Sequence, residues 1–137
     1  MRRCGIMLAV AMAVGAGAAE SREAQLSPLD GTRWAITMTP DEAAEQAGEK
    51  PSDDILMFEE GRMVSSECMR YGFETSPYSG EQVDGQITFE TEQESRKEGT
   101  MQWSGQATDK AIKGTVVWKK RKGKPLNYQF EGKPDRS

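Results

Sequence analysis

Large apolar side chains recur at every second position in short runs, and a turn signal follows almost every run. From Thr32 to Met38, the side chains of Thr32, Trp34, Ile36 and Met38 alternate with Arg33, Ala35 and Thr37. A period of two places successive side chains on opposite faces of an extended strand, so each such segment has one dry face and one wet face. Further runs fall at Ile55 to Phe58, at Arg62 to Arg70, and weakly at Phe73 to Tyr78, where Pro77 denies a ladder donor. Gln86 to Thr91 follows, with Ile87, Phe89 and Thr91 in phase. Three more rows are Met101, Trp103, Gly105 and Ala107, then Ile112, Gly114, Val116 and Trp118, then Leu126, Tyr128 and Phe130.

Glu60-Gly61, Tyr71-Gly72, Ser79-Gly80, Asp84-Gly85, Asp109-Lys110 and Gly123 mark turns between these runs, and the charged stretch from Glu92 to Glu98 ends at Gly99. Strands spaced by roughly ten residues leave no room for a helical crossover between parallel partners. The pattern predicts an all-β fold, an antiparallel up-and-down barrel of about eight strands. Closure is preferred to a sandwich because it removes the exposed edges. Pro40 to Asp53 breaks the alternation. Asp41-Glu42-Ala43-Ala44-Glu45 places acids where a helix dipole favours them and predicts a short helical turn in this first inter-strand loop.

The first residues carry a different signal. Arg2 and Arg3 precede an apolar run from Ile6 to Val14, and Ala16-Gly17-Ala18-Ala19 offers small side chains after it. That is the layout of an export leader over 1–19, cleaved near Ala18 or Ala19. Cys4 precedes the apolar run, whereas lipid attachment needs a cysteine just after it. The organisation expected is a leader at 1–19, a polar lead-in at 20–28, one barrel domain at 29–132 and a tail at 133–137. The destination expected is the periplasm or the outside of the cell. The leader's run is shorter than the ~20 residues a bilayer requires, and no second apolar stretch exists, so no transmembrane span is expected.

Loss of Arg2 and Arg3 leaves 16 basic side chains against 22 acids, and the net charge moves from −4 to −6. Such a chain is a poor partner for nucleic acid, whose phosphates need a basic face. Cys68 is the one cysteine after the leader, so no internal disulfide forms, and the fold must hold by burial. Histidine is absent, which removes the commonest general base and the commonest metal ligand together.

Gly31-Thr32-Arg33-Trp34 on the first strand, then a long loop, then seven hairpin-linked strands, resembles the lipocalins and the wider calycin group. The spacing here is Gly-x-x-Trp, one residue longer than that group's Gly-x-Trp. Gly99-Thr100-Met101-Gln102-Trp103-Ser104-Gly105 and Ile112-Lys113-Gly114-Thr115-Val116-Val117-Trp118 are similar to bacterial exported lipocalin-like domains of uncharacterised function. The likeness covers about 29–132. It implies Trp34 packed at a closed barrel end, a lid from the first loop, and a small apolar or amphipathic ligand inside the barrel.

The inward aromatics Trp34, Phe89, Trp103, Trp118, Tyr128 and Phe130 are the candidate lining of such a cavity. They equally suit a barrel filled by its own side chains, since eight strands enclose only enough room for one or the other. Cys68 is a candidate reactive thiol, with Arg70 two positions along the same expected strand, or a small buried hydrophobe. The basic run Lys119-Lys120-Arg121-Lys122-Gly123-Lys124 could touch anionic head groups or polyanions, or be a solvated hairpin tip. No catalytic, metal or cofactor motif is present. Adjacent carboxylates such as Asp53-Asp54 and Glu59-Glu60 point to opposite faces of a strand and do not converge. The sequence therefore predicts a non-enzymatic exported barrel. It holds a small hydrophobic molecule or, alternatively, acts as an envelope structural or interaction module with a filled interior. It specifies no partner protein.

Overall fold

The computed structural model describes residues 27–136. The expected leader at 1–19, Cys4 and most of the 20–28 lead-in lie outside the described residues. The described residues form eight antiparallel strands in sequential order: β1 (Thr32–Pro40), β2 (Ser52–Glu59), β3 (Arg62–Ser65), β4 (Ser76–Val83), β5 (Gln86–Ser95), β6 (Gly99–Ala107), β7 (Ile112–Lys119) and β8 (Leu126–Pro134). Each strand pairs with the next, and β1 also pairs with β8, closing an up-and-down barrel. Two short helices complete it, α1 (Glu42–Gln46) and α2 (Ser66–Met69). The all-β barrel expected from the alternation is the fold observed.

This topology gives the barrel two unlike ends. At the first, β2–β3 and β4–β5 turn in two residues, Glu60-Gly61 and Asp84-Gly85. All four have positive φ, at 53°, 75°, 52° and 78°. That backbone matches the twist of paired strands, and glycine adopts it without a Cβ penalty. Leu29 closes this end. Its amide donates to the Tyr78 hydroxyl, which donates to Asp30 Oδ1 at 2.8 Å, and Asp30 accepts from the Gly61 amide. The other end carries the longer connections, 41–51, 66–75, 96–98 and 120–125.

Apolar side chains from every strand fill the space between the ends. Phe89, Gly105, Gly114 and Phe130 lie on successive strands as direct partners. A Cβ on Gly105 would stand 2.8 Å from both Phe130 Cζ and Phe89 Cε1, so glycine here makes room for two rings. Without it the barrel waist would have to widen.

Three expected strands are placed differently. The run over Arg62 to Arg70 stops at Ser65, which caps α2 by accepting the Cys68 amide at 3.1 Å. Serines 65 and 66 offer the backbone local hydrogen bonds that compete with a ladder. The weak strand at Phe73 to Tyr78 begins only at Ser76 and continues through Gly80 to Val83. Pro77 is tolerated because β3 contributes only two registered pairs there. β5 runs on to Ser95, into the expected charged connection, because Thr91, Gln93 and Ser95 keep the inward phase. α1 is the expected helical turn. Asp41 caps it, accepting from the Ala44 amide at 2.9 Å, and Ala44 is fully buried.

Candidate functional site

The inward aromatics named from the sequence do not form one constellation. Phe89, Phe130 and Trp103 are brought together, with Phe89–Phe130 ring centroids 6.3 Å apart and Trp103–Phe130 centroids 5.3 Å apart at 65°. Phe58 extends this chain by meeting Phe89 edge-on at 5.2 Å and Tyr78 at 4.9 Å. Rings from β2, β4, β5, β6 and β8 thus meet across the barrel, edge-to-face as aromatic quadrupoles favour except for the tilted Phe89–Phe130 pair. Trp34 is buried near the two-residue turns, its Nε1 donating to Thr32 Oγ1 at 2.9 Å. Trp118 is half-buried at the opposite end. Its Nε1 donates to the Glu98 carbonyl at 2.8 Å, and Lys120 Nζ stands 5.0 Å from its ring centroid. Tyr128 is buried below α1 and donates its hydroxyl to Glu49 Oε1 at 2.7 Å. Burial, with the Glu49 carboxylate beside it, holds that phenol protonated well above its ordinary range.

Toward the longer loops the interior turns polar. The Ser76 and Thr91 hydroxyls share a hydrogen bond of 2.7 Å, and Ser95 Oγ donates to the Tyr71 carbonyl. Trp103 Nε1 donates to Gln93 Oε1 at 2.9 Å, which fixes the amide orientation. Gln93 is wholly buried, and its Nε2 has no hydrogen-bond partner among the described residues. An unpaired buried donor of this kind costs ~1–3 kcal/mol.

Opposite, Asp54 is buried at the head of β2. Its carboxylate accepts from the Ser65 and Ser66 hydroxyls and from the Ile55 and Glu67 amides. Desolvation outweighs these four donors and raises its pKa above the ordinary 3.8. Cys68 is buried beside this cluster, and burial pushes its thiol up to about 12. Arg70, expected on a shared strand face with Cys68, lies beyond α2 and pairs with Glu67 instead at 3.3 Å. The Ser65–Asp54 contact stabilises a helix cap over the barrel rather than a thiolate.

Among the described residues, no group of three Cys, Asp or Glu side chains stands where it could hold a metal ion. Likewise, no helix is long and apolar enough to cross a membrane. On the outer face, an open groove of about 800 Å³ runs across β4 to β8 and β1, with Thr37, Glu81, Thr88, Lys113, Gln129 and Glu131 along it. Comparison of the chain with protein-family models, with curated proteins and with solved structures gives no match.

Sequence reasoning missed Gln93, Asp54 and the Ser65–Ser66 pair. The signal was phase. Asp54, Leu56 and Phe58 share a face, as do Phe89, Thr91, Gln93 and Ser95, so the alternation continues where its apolar content ends.

Proposed function

We propose that this chain is an exported, non-enzymatic, lipocalin-like protein that acts through its outer surface, the interior of its barrel serving as core. The observation that carries this reading is the run of touching rings from Tyr78 through Phe58, Phe89 and Phe130 to Trp103. Side chains in mutual contact occupy the space a ligand would need, and eight strands enclose little more. Such a barrel is a rigid support that presents loops, in keeping with the envelope module expected as the alternative from sequence.

The other reading, a small amphipathic molecule held inside, draws support from Gln93. Its Nε2 is a buried donor that a ligand carbonyl or hydroxyl could satisfy. Native mass spectrometry of protein purified from an exporting host separates the two. The surface reading predicts the mass of the bare processed chain. A retained organic adduct that is lost in a Gln93→Leu variant would overturn it and establish the interior ligand.

A further inference from the structure

Three of the four connections at one barrel end carry features that the core does not use. Arg96 and Lys97 project from the β5–β6 turn, and five more cations lie between Lys119 and Lys124 around the β7–β8 turn; all seven are exposed. Against them these turns hold one acid, Glu98. None of the seven makes an ion pair among the described residues. The 66–75 connection beside them exposes Met69 and Tyr71, at 54% and 60% of their surface. Among the described residues these are two of the three large apolar side chains that lie in the open, Val83 being the third.

The three connections are fastened together. Arg121 Nη1 donates to the Arg96 carbonyl at 2.5 Å, and Trp118 Nε1 reaches Glu98 in the same turn. Ser95 Oγ donates to the Tyr71 carbonyl at 3.1 Å, and the Glu74 amide donates to the Glu94 carbonyl. In the 66–75 connection Glu67 pairs with Arg70 and Glu74 is exposed. Glu92 and Glu94 face outward on β5 beside Arg96, Lys119 and Lys120, so the sector keeps a cationic excess. Glu42 and Glu45 lie on α1, in the β1–β2 sector.

We propose that this sector of the barrel end docks on an anionic lipid surface. The cations of the two turns meet the head groups, while Met69 and Tyr71 enter the interfacial layer. This rests on the reading that the protein works through its outside, and it names the surface and the partner. Clustered Lys and Arg are attracted to anionic leaflets and lose that attraction as salt screens them. A tyrosine beside them suits the boundary, with its ring in the apolar layer and its hydroxyl in water. A protein net-negative elsewhere would be held in one orientation, with the two cationic turns toward the surface. A soluble polyanion would satisfy the cations equally but would leave Met69 and Tyr71 without a role, so a membrane fits the whole patch better.

Sedimentation with vesicles of phosphatidylcholine alone, or with a quarter phosphatidylglycerol, tests this on protein purified from an exporting host. Binding is expected to the anionic vesicles only, and 0.5 M salt should abolish it. Neutralising Lys119, Lys120, Lys122 and Lys124 to Gln should weaken it by roughly fivefold per charge, several hundredfold in all. A Met69→Ser, Tyr71→Ser double variant should lose roughly tenfold on vesicles yet bind soluble polyphosphate unchanged. Circular dichroism of each variant checks that the barrel is intact, and all six side chains are exposed. Absence of binding, equal binding to both vesicles, or a double variant that binds vesicles like the parent would overturn the proposal. The surface-acting reading fails separately, on an adduct in the native mass spectrum of the same preparation.

Discussion

The two ends of this barrel are built on different chemistry. At the two-residue turns, Leu29, Trp34 and Phe58 pack against tight hairpins, and the polar contacts there are few and complete. At the loop end, buried groups include Asp54, Ser65, Ser76, Thr91, Gln93 and Ser95, and one of them, Gln93, is left with a donor unpaired among the described residues. Apolar burial tolerates local adjustment because it is non-directional. A buried polar set does not, because each missing partner exposes the full desolvation cost of the group left behind. The first end therefore has the character of foundation, and the second is where charge, exposure and incomplete pairing gather.

The contrast breaks most visibly where the two chemistries meet, at Trp103. Its ring packs on Phe130 and its Nε1 binds Gln93. Trp103→Ala should cost ~3–5 kcal/mol, a large part of the ~5–15 kcal/mol that holds a small domain together. Urea denaturation followed by circular dichroism would read this as an early transition. A midpoint unchanged from the parent would show that the ring lines a space instead of filling one.

Asp54 sharpens the comparison through pH. Desolvation raises its pKa in the folded state above the ordinary 3.8, so the native protein binds that proton more tightly than the unfolded chain. Its contribution to stability is therefore greatest at low pH. It declines as pH rises from the unfolded value through the raised native one, and then levels off. Asp54→Asn should flatten that segment of the stability profile, and Asp54→Ala should cost ~1–3 kcal/mol by stranding the Ser65 hydroxyl and the Glu67 amide. Urea midpoints at a series of pH values check both. A parent profile that rises with pH across the same window would contradict the assignment.

Smaller effects belong to the coverings of this end. Replacing 42–50 with a short Gly/Ser link removes the Glu49–Tyr128 hydrogen bond and the buried Ala44, and should lower stability by ~1–2 kcal/mol with the barrel intact. Hydrogen exchange adds detail, since amides of 41–50 should exchange well before those of 112–118. Cys68 should show no energetic signature under these conditions. With its thiol raised to about 12 by burial, a thiol reagent at neutral pH should label it only after denaturation. Rapid labelling of the native protein would place it in an accessible site.

The unevenness of the barrel also explains what its sequence disclosed. Strand count, order and closure were legible because Trp34, Ile36 and Met38, or Trp103 and Val116, keep a strict alternation of large apolar and polar side chains. The same rule hid the loop end, where inward positions are filled by Thr91, Gln93 and Ser95, which in isolation read as surface. The end of β3 at Ser65 was hidden because the hydroxyl that caps α2 is held by Asp54, 11 positions away. The basic run at Lys119 to Lys124 was plain in the sequence. Its proximity to Arg96 and to the exposed Tyr71 required the fold, since contacts such as Arg121–Arg96 span 25 positions.

The central claim is that the aromatic interior is core. Titration of the native protein with a neutral apolar dye, N-phenyl-1-naphthylamine, tests it without recruiting the cationic turns. A filled barrel predicts no saturable fluorescence gain with the folded protein. Stoichiometric binding to the folded protein, quenched by Trp103→Ala or displaced by an added fatty acid, would show an open cavity among Phe89, Trp103 and Phe130 and contradict the account.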